Sequence, residues 1–131
     1  MEKLNANTNA INWFEIPVTD TSRAKKFYEA IFDIEMKTIE MNGFEMTFFP
    51  SSDNMQGLVS GALVKGDQHK PSMEGVIIYL NANPDIQVII DRIKANCGNI
   101  IMPRKLVNEQ VGYIAFFADT EGNCLALHAA N

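Results

Sequence analysis

An α+β fold made of two successive βαβββ modules is the reading that three features of the 131-residue sequence support. Two stretches with helical periodicity are each preceded by one strand-like run and followed by three. A constant offset of about 63 residues lays one half over the other. A polar, turn-rich stretch, GDQHKPSM, separates the halves.

The first module, about residues 11–65, opens with the strand INWFEIPV. Asp20 or Thr21 then caps a helix whose apolar residues Ala24, Phe27 and Ile31 recur at helical spacing. EMKTIEM and FEMTFFP, joined by the turn pair Asn42-Gly43, read as a hairpin, and LVSGALV follows a loop rich in Ser, Asp, Asn and Gly. After the linker, about residues 66–73, the second module occupies about 74–130. Its strand GVIIYLNA leads into a helix expected to be capped by Asn83, with Pro84 at its first position, Gly98 near its end and a stripe of Ile86, Ile90, Ile93 and Cys97. NIIMPRKLV, GYIAFFA and CLALHAA supply the remaining strands, the last two joined by DTEGN. Aligning the halves sets Trp13 on Val76, Asp20 on Asn83 and Phe27 on Ile90. The whole chain, 1–131, is expected to form one domain.

Composition narrows the function. With 47% hydrophobic residues the chain can bury a core, and the net charge of −5 offers no basic stripe for a phosphate backbone, so nucleic acid is not an expected partner. No apolar run of 18 residues and no signal-peptide core appear, which points to a cytoplasmic protein without a membrane partner. Cys97 and Cys124 form no metal-binding or disulfide pattern and are expected to be buried free thiols. Cys124 and His128 cannot act as a nucleophile and base on one strand, since four residues span about 13 Å. DTEGN is too short to supply the spaced oxygens of a calcium loop and reads as a hairpin turn.

INWFEIPVTDTSRAKKFYEAIF and the closing FFADTEGNCLALHA together resemble the glyoxalase/bleomycin-resistance/extradiol-dioxygenase group, the vicinal oxygen chelate superfamily. The resemblance spans about residues 11–129 and implies curved mixed sheets with helices outside and a U-shaped cleft. Metal-binding members take ligands from the first and fourth strands of each module. Carried over by motif, those places are Trp13, approximately Leu63, Val76 and Ala126, and a one-residue shift at Leu63 would give Ala62 or Val64. None of these side chains can ligate a divalent cation. No metal and no cofactor are therefore expected, and the resemblance implies binding of a small organic molecule in the manner of the family's metal-free, antibiotic-sequestering members. A homodimer is also implied, because relatives commonly build or complete their clefts across subunits.

Strand parity puts Glu15 on the same face as Trp13, and the repeat offset adds Lys65, Ile78 and His128 to that layer. Trp13, Glu15, Lys65, Ile78, Ala126 and His128 are thus the candidate ligand-binding residues. Met46, Phe48 or Tyr79 would extend an apolar wall for a planar ligand. His69, in the linker, reads as a solvated loop residue. The alternative is a lyase, isomerase or dioxygenase-like enzyme of the same superfamily, with Glu15 and His128 as its acid/base pair or with an unrecognised metal site.

Overall fold

A computed structural model describes residues 3–52 and 57–131. Its elements follow the order β1 (Trp13–Pro17), α1 (Thr21–Phe32), β2 (Lys37–Met41), β3 (Phe44–Phe48) and β4 (Ser60–Lys65), then β5 (Tyr79–Asn81), α2 (Ile86–Ala95), β6 (Asn99–Asn108), β7 (Gly112–Ala118) and β8 (Cys124–Ala129). Part of the polar loop before β4, residues 53–56, lies outside the described residues.

Each module folds into a four-stranded mixed sheet, ordered β1-β4-β3-β2 and β5-β8-β7-β6. The strand before the helix runs parallel to the module's last strand, and the other pairings are antiparallel. The helix takes the chain across its sheet, which is what allows two strands of one module to lie parallel.

Alternation along the strands decides what each sheet buries. Ile16 pairs with Leu63 in the first sheet and Leu80 with Leu127 in the second, and all four point to the helix side. Helix α1 meets them with Ala24, Phe27, Tyr28 and Ile31, and α2 with Ile86, Ile89, Ile90 and Ile93. These residues make one core shared by both modules. Phe27 stands edge-on to Tyr28, with centroids 5.0 Å apart, and 6.3 Å from Phe117 of the other module. Each large apolar side chain buried this way contributes about 1.5–3 kcal/mol.

The helix starts differ from one another. Asp20 caps α1, its carboxylate accepting from the Arg23 N–H at 3.0 Å, as one of the two sequence candidates requires. Helix α2 is capped by Asp85, which accepts from the Gln87 N–H at 2.9 Å, and not by Asn83. Asn83 is committed elsewhere: its side-chain oxygen accepts from the Ala130 N–H at 2.8 Å. Nor is Cys97 part of the α2 stripe. It is exposed with φ +71° just past the helix end, and Ile89 takes the buried place instead. Cys124 is only partly buried.

This shift resets the repeat. The caps Asp20 and Asp85 are 65 residues apart, whereas the matched sheet positions Ile16/Leu80 and Leu63/Leu127 are 64 apart. The connection from β5 to α2 therefore carries one residue more than that from β1 to α1. An alignment anchored on Asn83 as the cap misplaces the second module by one position, which reverses the face of every strand residue.

Candidate functional site in the outer sheet faces

Each sheet has a second face turned away from the shared core. On the first sheet this outer face holds Trp13 and Glu15 of β1, Ala62 and Val64 of β4, Met46 and Phe48 of β3, and Ile39 and Met41 of β2. Much of it is apolar and open: Trp13 is 39% exposed and Ile39 47%. The Trp13 and Phe48 rings lie 6.1 Å apart and tilted, so they form a continuous aromatic wall.

Glu15 finds its partner in the linker. The His69 ring Nε2 and Glu15 Oε1 are 2.8 Å apart, and the imidazole stands edge-on to Phe44 at 5.4 Å. His69 Nδ1 is buried and has no hydrogen-bond partner among the described residues. The expectation of a solvated His69 fails because the chain turns back at once: the His69 N–H donates to the Gly66 carbonyl at 3.1 Å, folding the linker over the sheet. A side chain at Gly66 would lie 2.6 Å from Phe44 Cε1, so only glycine lets the turn sit this close. Gly-Asp-Gln-His directly after a strand was the signal available in the sequence.

On the second sheet the outer face carries Tyr79 and Asn81 of β5, Ala126 and His128 of β8, and Ile114 and Phe116 of β7. Tyr79 and Phe116 meet edge-on with centroids 6.0 Å apart. His128 bonds through Nε2 to the Val111 carbonyl and borders a hollow of about 530 Å³ shared with Tyr79, Asn81 and Ile114.

The structure thus separates residues that the sequence pattern had grouped. Trp13, Glu15, Ala126 and His128 lie on outer faces. Lys65 does not: it shares the parity of Leu63 and approaches Glu45 at 3.9 Å on the helix side of the sheet. Ile78 packs against the core. Both corrections follow from the one-residue difference in offset. Glu15 and His128 belong to different sheets and are each bonded to another group.

The corrected register also moves the family's four ligand places, which become Trp13, Ala62, Ile77 and Ala126. Indole and alkyl side chains give no lone pair suited to zinc, iron or manganese, so this donor set does not fit the metal of the metal-dependent relatives. Among the described residues, no group of three or more His, Cys, Asp and Glu side chains is placed to hold a metal ion.

The turn DTEGN does more than reverse the chain. Glu121 Oε1 accepts from the backbone N–H groups of Thr19 and Asp20 at 2.9 and 2.8 Å, and Arg23 Nε donates to Oε2 at 2.7 Å. Asp119 accepts from the Tyr28 hydroxyl at 2.7 Å, and the Asn123 side-chain amide donates to the Pro17 carbonyl at 2.7 Å. A buried turn of the second module is thereby fastened to the start of α1 in the first. Burial alone would raise the Glu121 pKa, but the bonds from Arg23, Asp20, Thr19 and Thr120 outweigh it and hold the carboxyl at about 2. The Tyr28 hydroxyl is pushed well up by burial and by Asp119.

This architecture matches known proteins. The profile of the Glyoxalase/Bleomycin resistance protein/Dioxygenase superfamily matches residues 10–127. The chain belongs to this superfamily. Among solved structures it is similar to TnmS3, an antibiotic binding protein from Streptomyces sp. CB03234, with TM-score 0.69 and 19% identity over 97% of this chain and all (100%) of that one. It is similar also to the genomically encoded fosfomycin resistance protein FosX from Listeria monocytogenes, with TM-score 0.64 and 19% identity over 94% and 91% of the two chains. A glyoxalase I mutant from Zea mays aligns with TM-score 0.66 and 20% identity over 88% of this chain, which spans 43% of that one. No curated protein matches the sequence at a significant level. Likeness at these identities establishes the superfamily's fold, and the chemistry has to come from the side chains.

No described helix is long and apolar enough to cross a membrane.

Proposed function

We propose that this superfamily member is a cytoplasmic protein that binds a small, partly planar organic molecule against the outer face of its first sheet, without the metal used by its metal-dependent relatives. The observation that carries this reading is the replacement of all four ligand places by Trp13, Ala62, Ile77 and Ala126, next to an intact polar pair, Glu15 and His69. Trp13, Phe48 and Met46 offer a stacking wall, and Glu15 can accept a hydrogen bond from the ligand through the oxygen that His69 does not occupy.

The two outer faces both turn away from the core that the sheets share, so a cleft walled by both needs a second copy of the chain. In a homodimer the first sheet of one subunit faces the second sheet of its partner. Tyr79, 50% exposed in the single chain, would then be covered together with Trp13. An acid/base enzyme using Glu15 and His128 would depend on the same assembly, because within one chain the two lie on different sheets.

The test is a thermal-shift screen of small aromatic and antibiotic-like molecules on protein whose metal content has been measured. Ligand binding to the native state raises its stability with the logarithm of concentration. Stabilisation by a ligand in protein stripped of metal, lost in Trp13→Ala, is the expected result. One tightly held metal per chain, required for binding or turnover, would overturn the reading.

A further inference from the structure

The geometry points to a second binding site, in the opening between the two modules, for an amphipathic carboxylic acid whose carboxylate is held by Arg92. The shared core is not sealed along one side. A cavity of about 1090 Å³ opens there, just above the usual range for small-molecule sites. Its walls include Phe14, Phe32, Ile34, Phe49 and Ile78, the partly buried rim of the core. Trp13 and Glu15 do not line it, since they lie on the opposite face of β1, whereas Ile77 and Tyr79 border it from the second module.

Helix α2 presents Val88, Ile89 and Arg92 to this space, a stripe that begins at the capping Asp85 and keeps helical spacing. Arg92 and Asp85 are the charged groups among the described lining residues. Asp85 accepts from the Gln87 N–H, and seven residues along the helix place it about 10 Å from Arg92. Arg92 is partly buried, and its guanidinium donates through Nη1 to the Ile31 carbonyl at 3.3 Å. No carboxylate lies within ion-pair distance of it among the described residues. A guanidinium has five N–H donors in a planar fork that suits a carboxylate, so a largely apolar cavity that also carries Asn9, Ser60, Asn81, Asn83 and Asp85 has unused cationic donors at Arg92. An apolar chain or ring with a single carboxylate fits both the wall and Arg92; a neutral amphiphile fits only the wall.

Decanoate, decanol and the purified full-length chain test this by titration calorimetry, with sedimentation run on every variant. The expected result is saturable binding of one decanoate per chain, weakened at least about tenfold in Arg92→Gln. Decanol should bind more weakly and be indifferent to that change. Val88→Trp, at a solvent-open position on the wall, should block decanoate by filling the space, and Trp13→Ala should leave decanoate affinity unchanged. Absence of saturable decanoate binding would overturn the proposal, as would wild-type affinity in both Arg92→Gln and Val88→Trp. Loss of decanoate binding in Trp13→Ala would move the ligand to the outer face. A dimer split by Val88→Trp, with no saturable decanoate binding to the wild type, would assign the opening to a second copy of the chain.

Discussion

His69 Nε2 lies 2.8 Å from Glu15 Oε1. This bond ties the linker between the modules to the outer face of β1, beside Trp13. It settles why a carboxylate sits on a largely apolar face: the group is part-exposed, hydrogen-bonded on one oxygen and open on the other. Glu15→Gln keeps the shape and one acceptor, so the protein should stay folded while affinity for a ligand found by screening falls by about 1.5–3 kcal/mol, as for hydrogen bonds to charged groups. Melting temperature and affinity are measured together. Wild-type affinity in well-folded Glu15→Gln would remove Glu15 from the site.

Glu121 should matter most for stability. Glu121→Gln strands the donors of Thr19, Asp20 and Arg23 around a neutral amide and should cost about 2–4 kcal/mol in denaturant unfolding. The pH dependence has a defined sign. The folded-state pKa of about 2 lies below the ordinary 4.5, so the unfolded chain binds this proton more readily. The contribution is complete above about pH 4.5 and is lost as pH falls toward 2. Stability of Glu121→Gln should therefore fall less steeply than wild type across that window.

Gly61 should not tolerate a methyl group. A Cβ there would lie 2.6 Å from Phe14 Cγ and closer still to the Phe14 carbonyl oxygen, across the parallel β1/β4 pair. Backbone cannot move aside cheaply, so Gly61→Ala should lose about 1–3 kcal/mol, with the unfolding midpoint as readout. An unchanged midpoint would mean that β1 and β4 are less tightly apposed than the structure has them.

A homodimer is the expected solution species, because the outer faces that carry Trp13, Ile39 and Tyr79 leave large apolar side chains open in a single chain. Sedimentation equilibrium should return twice the chain mass, and Tyr79→Asp should shift it toward the monomer. A strict monomer at high concentration would leave the outer faces as separate surfaces.

The elements themselves were legible in the sequence. The stripe Ala24, Phe27 and Ile31, the cap at Asp20 and the Asn42-Gly43 hairpin are local, set by side-chain period and backbone preference within a few residues. The family followed from two motifs, and the four ligand places hold only indole and alkyl groups at an offset of either 63 or 64. What only the tertiary structure decided was which residues share a face. Asn83 is as good a cap as Asp85 by residue type, but in the folded chain its side-chain oxygen is engaged by the Ala130 N–H, 47 positions away. That one choice moved Lys65 and Ile78 to the helix side, because strand side chains alternate and a shift of one reverses the face. His69 reached Glu15 across 54 positions of sequence, and Arg92 met an opening bounded by both modules; contacts that distant are fixed by how the two sheets close on one core, which local periodicity does not encode.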